Sequence, residues 1–152
     1  MKKEKAKRLI GLDYGLSRIG LAISDEKQII ALPLTVFKAD KKLEETAKQL
    51  ALFFTQTAEN YCCEMEKAII GLPLMMNGVE GAQAVKVKEF ITIFHHYSCI
   101  VVQPWDERLT TMQADRALKE FSLKRKARAK VVDKVSATLI LQSYLDSQFP
   151  SL

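Results

Sequence analysis

The sequence predicts an α/β fold in which a mixed five-stranded sheet is flanked by helices. Three short apolar segments come first, joined by short links, which is typical of an antiparallel meander. Helical and strand-like segments then alternate, and strands joined through a helix pair in parallel with a right-handed crossover. The 152 residues are 48% hydrophobic and 27% charged, a balance that suits one domain spanning residues 1–152.

The three opening strands are short apolar segments separated by turn-forming residues. They are expected at 8–13 (RLIGLD), 19–24 (IGLAIS) and 29–37 (IIALPLTVF), with Gly15 in the first link. Proline has no amide hydrogen to donate to a neighbouring strand. Pro33 therefore predicts that the third strand lies at an edge of the sheet or is bulged there.

The spacing of apolar residues changes after Asp40, which is a candidate N-cap for the helix that follows. Apolar residues then recur every three or four positions, as in amphipathic helices. In chain order, we expect a helix at 41–61, a strand at 68–72, a turn-rich loop at 73–81, a helix at 81–96, a strand at 99–103 that Pro104 ends, a helix at 109–121, a basic loop at 122–130 and a helix at 131–145.

The basic charge of the chain is concentrated in two segments. The net charge is +5. The segments 2–8 and 124–130 together hold ten of the 23 basic residues and one of the 18 acidic ones. The rest of the chain therefore has 13 basic and 17 acidic residues, a net charge of −4. Such segments are typical of contact with nucleic-acid phosphates; the alternative is a solvated tail and a solvated loop. The second segment contains Lys124, Arg125, Lys126, Arg128 and Lys130.

Several other classes of protein are not favoured. No apolar run reaches the roughly 20 residues of a membrane span, and residues 1–8 lack the apolar stretch of a signal peptide, so we expect a cytoplasmic protein with no membrane partner. Three cysteines do not form a closed set of disulfides. The cysteines and the two histidines show neither zinc-ligand spacing nor the surroundings of a nucleophile with its base.

Four acids adjoin the most apolar parts of the chain. Asp13 ends the first strand, Asp106 and Glu107 follow the last strand after two further residues, and Asp133 opens the last helix. Ligands of α/β sheets collect beyond the carboxyl ends of the strands, so these acids would meet there if their strands are parallel. The alternative is structural, with Asp13 capping a turn and Asp133 acting as an N-cap.

Clustered carboxylates repel one another and are stable as anions when a cation joins them. Oxygen ligands without histidine or thiolate favour Mg²⁺ or Mn²⁺. Two such ions, about 3.5–4 Å apart, activate a water and stabilise the leaving oxygen of a phosphodiester. If the acids meet, they indicate a nuclease that uses two Mg²⁺ or Mn²⁺ ions; if they do not, the structural interpretation stands.

Four segments carry a resemblance to a known family. They are GLDYGLSRIGLAISD at 11–25, IIGLPLMMNGVEG at 69–81, DERLTT at 106–111 and KRKARAKVVDKVSATLILQSYLD at 124–146. In this order and spacing they resemble the YqgF/RuvX family over nearly the whole chain. The resemblance implies the ribonuclease H-like fold, a relation to the RuvC Holliday-junction resolvases, and a nuclease that matures the 5′ end of pre-16S ribosomal RNA.

The resemblance also implies roles for individual residues. Asp13 matches the acid of the family's first strand, 106–108 matches its DER motif, and Asp133 matches the acid of its C-terminal helix. These matches imply catalytic roles for Asp13, Asp106, Glu107 and Asp133, and metal ligation by Asp13, Glu107 and Asp133. Glu107 is preferred over Asp106 as the ligand from this motif.

The chain departs from related proteins at a few positions. Related folds often carry an acid after the fourth strand, whereas 71–74 (GLPL) has none, and the DER motif is expected to supply it. The following loop has Met75 and Met76 before Asn77, where the family usually has Asn and then an acidic or amide residue, a difference that would alter a substrate contact. Ser122 stands where the family often has Gly.

Several residues near the acids have two interpretations. Arg18 contacts phosphate or pairs with Asp25 across the first hairpin. Arg108 is a phosphate clamp or the partner of a ligand carboxylate. Trp105 stacks on a base or is buried, and Tyr14 belongs to the core or faces the substrate.

The leading hypothesis is an RNA endonuclease of ribosome maturation, with pre-16S rRNA and pre-ribosomal particles as partners. The basic segment at 124–130, just before Asp133, is expected to hold the substrate backbone. The alternatives are a nuclease of branched DNA, such as a Holliday-junction resolvase, and a non-catalytic RNA-binding module. A binding module has no need of acids at strand ends, because carboxylates repel phosphate unless a metal is present.

Overall fold

The structure is a computed structural model that describes residues 3–108 and 125–148, with side chains described in 3–108 and 135–148. The helix expected at 109–121 lies outside the described residues. In chain order the described elements are β1 (Ala6–Tyr14), β2 (Arg18–Ser24), β3 (Ala31–Lys38), α1 (Leu43–Asn60), β4 (Cys63–Leu72), α2 (Ala82–Phe94), β5 (Val101–Asp106) and α3 (Arg125–Gln148).

The strands form one mixed sheet in the order β3-β2-β1-β4-β5. The first three strands are antiparallel, and β4 pairs in parallel with both β1 and β5. The predicted mixed five-stranded sheet is therefore confirmed. β3 is an edge strand, and its register against β2 shifts where Ala22 meets Pro33, so both expectations for this proline are confirmed.

The two faces of the sheet carry separate apolar clusters. Ile10 and Leu12 of β1 belong to the cluster that α1 and α2 cover, together with Phe54 and Phe90. Leu9 belongs to the other cluster, with buried side chains of α3. Because successive strand residues point to opposite faces, the odd-numbered residues of β1 face α3.

Gly11 is a point of close approach between β1 and α3. A Cβ placed on Gly11 would lie 2.8 Å from the carbonyl oxygen of Ala137 and 2.7 Å from the Cβ of Leu141. Only a residue without a side chain lets the helix lie this close to the strand. Gly11 therefore sets the height of α3 above the sheet.

Two predicted boundaries near the acids are wrong. β5 continues through Pro104 to Asp106, because β5 is an edge strand and the missing amide hydrogen is tolerated there. Residues 125–130 are helical and not a loop, since Lys, Arg and Ala favour helix and this segment has no Gly or Pro. Asp133 therefore lies inside α3 and does not act as its N-cap.

The N-cap assigned to Asp40 is also wrong. Lys42 is the N-cap of α1, and the Oδ1 atom of Asp40 accepts a hydrogen bond of 2.9 Å from the Lys42 amide. Asp40 therefore supports the turn before the helix. None of the described helices is long and apolar enough to cross a membrane.

Candidate active site

Asp13 lies near the end of β1 on the face that α3 covers. Gly11, two residues earlier, contacts α3, and strand alternation puts Asp13 on the same side. Its side chain is partly buried. β1, β4 and β5 run parallel, so their carboxyl ends share the edge at which Asp13 lies.

Glu107 follows β5 directly, and its side chain lies over Gly71 of β4. The Glu107 amide is 3.4 Å from the carbonyl oxygen of Leu72. A Cβ placed on Gly71 would collide with the Oε2 atom of Glu107 and would lie 2.6 Å from Ile140 of α3. The missing side chain at Gly71 therefore leaves the space that the Glu107 carboxylate occupies.

Gly71 also connects Glu107 with Asp13. Leu12 of β1 pairs with Ile70 of β4, so Gly71 is the neighbour of Asp13 across this pair of strands. Because the Glu107 carboxylate lies over Gly71, it reaches across β4 toward Asp13. Two acids that are 94 positions apart in the chain are thus brought together.

The electrostatic environment of Glu107 reflects this proximity. Burial, the charge of Asp13 and then the charge of Asp106 raise the pKa of Glu107 from 4.5 to about 7. Burial acts because a charged carboxylate loses solvation, and the two neighbouring acids act by repulsion between like charges. Glu107 therefore exchanges its proton near neutral pH, and a bound cation would favour its charged form.

Asp106 lies on the opposite side of β5 from Trp105 and Glu107. Both carboxylate oxygens of Asp106 accept hydrogen bonds from the Arg108 guanidinium, at 2.6–3.0 Å. These hydrogen bonds lower the pKa of Asp106, whereas the pKa of Glu107 is raised. The two adjacent acids of the DER motif thus have different environments, and of the two it is Glu107 that lies beside Asp13.

The structure bears on the alternatives for three nearby residues. Arg18 opens β2 while Asp25 follows its end, so these two residues do not pair across the hairpin. The Tyr14 ring stacks on Phe90 at 4.7 Å and belongs to the core. Trp105 packs edge-on against Tyr144 of α3, and its indole Nε1 donates a hydrogen bond of 3.1 Å to Ser143.

The basic segment and the fourth acid are described only in part. Lys124 lies outside the described residues. Arg125, Lys126, Arg128, Lys130 and Asp133 belong to α3, and their side chains lie outside the described part of the structure. Among the described residues, no group of three acids, histidines or cysteines could hold a metal ion.

Gly71 is the functional residue that sequence reasoning did not identify. A glycine inside an otherwise buried apolar strand is a recognised sign of close approach by another group. The segment AIIGL at 68–72 carries that sign. The segment GLPL has no acid, and Gly71 within it has no side chain. Both absences go together, because the carboxylate of Glu107, which follows β5, fills the space over Gly71.

Comparison with known proteins agrees with this architecture. Residues 7–147 match the RuvX family, which is described as Holliday junction resolvase. A protein of Protochlamydia amoebophila named "Putative pre-16S rRNA nuclease" is 51% identical over 146 residues, which cover 96% of this chain and 97% of that protein. A protein of the same name from Endomicrobium trichonymphae is 44% identical over 93% of this chain and 96% of its own length.

Two solved structures share the fold. RuvC of T. thermophilus in complex with Holliday junction substrate aligns with a TM-score of 0.54 and 14% identity, covering 95% of this chain and 96% of that one. The Holliday junction resolvase of fowlpox virus aligns with a TM-score of 0.50 and 16% identity, covering 92% and 99%. The expected ribonuclease H-like fold is thereby confirmed. Since the family match spans most of the chain and the relatives align over nearly their whole length, the chain belongs to the RuvX family.

Proposed function

We propose that the chain, as one domain at 1–152, is a divalent-metal-dependent endonuclease that processes the 5′ end of pre-16S ribosomal RNA. The observation that carries this proposal is the partly buried Glu107 carboxylate, which reaches over Gly71 toward Asp13. The names of the relatives supply the substrate class. Such an enzyme acts in the cytoplasm, on free precursor RNA or on pre-ribosomal particles.

The packing of α3 supports Asp133 as the third acid. Leu9 of β1 shares a cluster and a cavity lining with Tyr144 and Leu145, whereas Gly11 meets Ala137 and Leu141. α3 therefore runs antiparallel to β1. Two strand residues span about 6.6 Å and one helical turn about 5.4 Å, so the step from Gly11 to Asp13 corresponds to the step from Ala137 to Asp133.

The acids fit hard divalent cations. Their donors are carboxylate oxygens, and the raised pKa of Glu107 is the effect that a cation between Glu107 and Asp13 would reverse. We propose that Asp13, Glu107 and Asp133 hold two Mg²⁺ or Mn²⁺ ions. Such ions supply positive charge that activates a water and stabilises the leaving oxygen of the phosphodiester.

The basic residues of the chain hold the RNA backbone in this proposal. Arg125, Lys126, Arg128 and Lys130 precede Asp133 by about one to two helical turns of α3, which would hold phosphates beside the carboxylates. Lys124 is the next basic residue in the sequence. Arg18 opens β2 opposite the end of β1 that carries Asp13, since Asp13 pairs with Gly20. Arg18 is therefore a second candidate for a phosphate contact.

A nuclease of branched DNA is the second candidate function. It is favoured by the description of the RuvX family as Holliday junction resolvase. The chemistry at the carboxylates would be the same, and the difference would lie in the shape of the nucleic acid that the basic residues hold. A non-catalytic RNA-binding module is less favoured, because it gains nothing from two acids that repel one another and phosphate.

Cleavage of a labelled RNA that spans the 5′ leader of 16S rRNA tests the proposal. With Mn²⁺ or Mg²⁺ the wild type is expected to cut it, while Asp13→Asn and Asp133→Asn lose at least 100-fold in rate. Glu44→Gln, which alters an exposed acid on α1, is the matched control and should keep full activity. A four-way DNA junction is assayed in parallel.

The outcomes separate the three functions. Preferential cutting of the junction would favour the DNA nuclease. Binding of RNA that is unaffected by chelation, with no cleavage of either substrate, would favour the binding module. Activity that both aspartate substitutions leave unchanged would refute the assignment of the site.

A further inference from the structure

We infer that Asp106 and Arg108 form a positioning pair, which holds both Glu107 and the loop at 73–81, and that Arg108 does not clamp substrate phosphate. The role in catalysis rests on the proposed function of the same site. The pair itself is a property of the fold and can be tested without RNA or metal.

The first argument is the number of contacts within the pair. The Arg108 Nε atom lies 3.0 and 2.9 Å from the two carboxylate oxygens of Asp106, and Nη2 lies 2.6 Å from Oδ2. The backbone amide of Arg108 also donates to Asp106 Oδ1, at 3.1 Å. The side chain of Asp106 thus closes a tight turn whose middle residue is Glu107.

The second argument comes from the contacts of Nη1, the remaining nitrogen of the Arg108 guanidinium. Nη1 of Arg108 lies 3.5 Å from the carbonyl oxygen of Met76, which is longer than a typical hydrogen bond and makes this a weak polar contact. A Cβ placed on Gly78 would lie 3.7 Å from the same nitrogen. Arg108 therefore faces the loop that follows β4, and each of its three nitrogens has a described partner.

The loop that Arg108 contacts has hydrogen bonds of its own. The Met75 amide donates to the carbonyl oxygen of Val79 at 3.0 Å, and the Gly78 amide donates to Met75 at 2.7 Å. Asn77 Oδ1 accepts from the Val79 amide at 3.0 Å, and the positive φ of Gly78, 82°, closes the turn. These hydrogen bonds define the conformation of the loop that Arg108 contacts beside the turn of Glu107.

These contacts leave little of the Arg108 guanidinium available to bind a phosphate. A two-point phosphate contact needs two neighbouring N–H groups of one guanidinium. Asp106 takes the Nε–Nη2 edge of Arg108, and Nη1, which forms part of the other edge, lies against the carbonyl oxygen of Met76. The negative charge of Asp106 also neutralises the positive charge that would attract RNA. The geometry instead fixes the backbone on both sides of Glu107, whose carboxylate lies on the opposite face.

Two substitutions give opposite results under the two interpretations. If Arg108 clamps phosphate, Asp106→Asn releases it and RNA binds more tightly, whereas Arg108→Gln weakens binding and lowers the salt dependence by about one charge. If the pair positions Glu107, both variants lower kcat roughly 10–100-fold, because small displacements of a reacting group are costly. RNA affinity then changes less than about twofold, and the double variant is no worse than the poorer single variant.

Arg108→Lys is a third variant that separates the interpretations. Lysine keeps the charge but does not form the planar two-point contact with Asp106. A positioning pair predicts that Arg108→Lys loses kcat like Arg108→Gln. A phosphate contact predicts that Arg108→Lys retains most of the RNA affinity. Lys48→Gln, which removes an exposed positive charge on α1, is the matched control.

The closing experiment is amide hydrogen exchange in the protein without metal or RNA, measured residue by residue by NMR. Asp106→Asn and Arg108→Gln are expected to speed exchange at Glu107 and Gly78 at least tenfold, with no change at Ile69 in the core. Unchanged exchange at Glu107 and Gly78 in both variants would overturn the inference, even if the wild type cuts RNA. Faster exchange together with a wild type that cuts no nucleic acid would support the pair and remove the proposed function.

Discussion

Replacing Glu107 with glutamine is expected to stabilise the metal-free protein above neutral pH but not in acid. Folding raises the pKa of Glu107 from 4.5 to about 7, through burial and the charge of Asp13. Between these two values the folded protein therefore binds more protons than the unfolded chain. The free energy of unfolding of the wild type falls as the pH rises through this window. Glutamine has a similar shape and no charge, so the variant does not lose this unfolding free energy as the pH rises.

The size of the stabilisation follows from the same difference in pKa. The change from 4.5 to about 7 corresponds to about 3 kcal/mol of unfolding free energy at 25 °C. This value is an upper bound, because Glu107 is partly exposed and water screens part of the repulsion. The buried glutamine amide also costs about 1 kcal/mol unless it finds a partner. A gain of about 1–2 kcal/mol above pH 8 is therefore expected.

Urea denaturation in EDTA at pH 8.5 and at pH 4 measures this difference. Glu107→Gln should have the higher midpoint at pH 8.5 and, because the cost of the buried amide remains, a midpoint no higher than that of the wild type at pH 4. Glu64→Gln, which alters an exposed acid of β4, is the control and should show no such pH dependence. A glutamine variant that is no more stable than the wild type at pH 8.5 would refute the raised pKa of Glu107, and with it the burial of this carboxylate beside Asp13.

Three further predictions concern packing around the site. Gly71→Ala is expected to lower cleavage at least 100-fold and to cost about 2 kcal/mol of unfolding free energy, because its Cβ collides with Glu107; a fully active variant would contradict the position of this carboxylate. Gly11→Ala is expected to cost about 1–3 kcal/mol in thermal unfolding, because α3 must move away from β1; unchanged stability would show that the helix is not held there. Trp105→Phe is expected to cost about 1 kcal/mol, through loss of its hydrogen bond to Ser143, and to leave RNA affinity unchanged; a large loss of affinity would show instead that the indole stacks on a base.

The arrangement of strands was predictable because local patterns specify it. Apolar alternation and short links indicated the antiparallel meander, and helix-linked strands indicated the parallel half of the sheet. Boundaries depend on more than local pattern. Pro104 is tolerated because β5 is at the edge, and residues 125–130 belong to α3 because Lys, Arg and Ala favour helix.

The sequence by itself determined the family, the mixed sheet and the acids at the strand ends, because these depend on residue type, order and spacing. The tertiary structure decided which acid of the DER motif lies beside Asp13. Strand alternation requires that Asp106 and Glu107 face opposite ways, but their placement relative to Asp13 depends on the register of β1, β4 and β5. The role of Gly71 was also decided by the tertiary structure, because the carboxylate that fills the space of its missing side chain comes from a distant part of the chain.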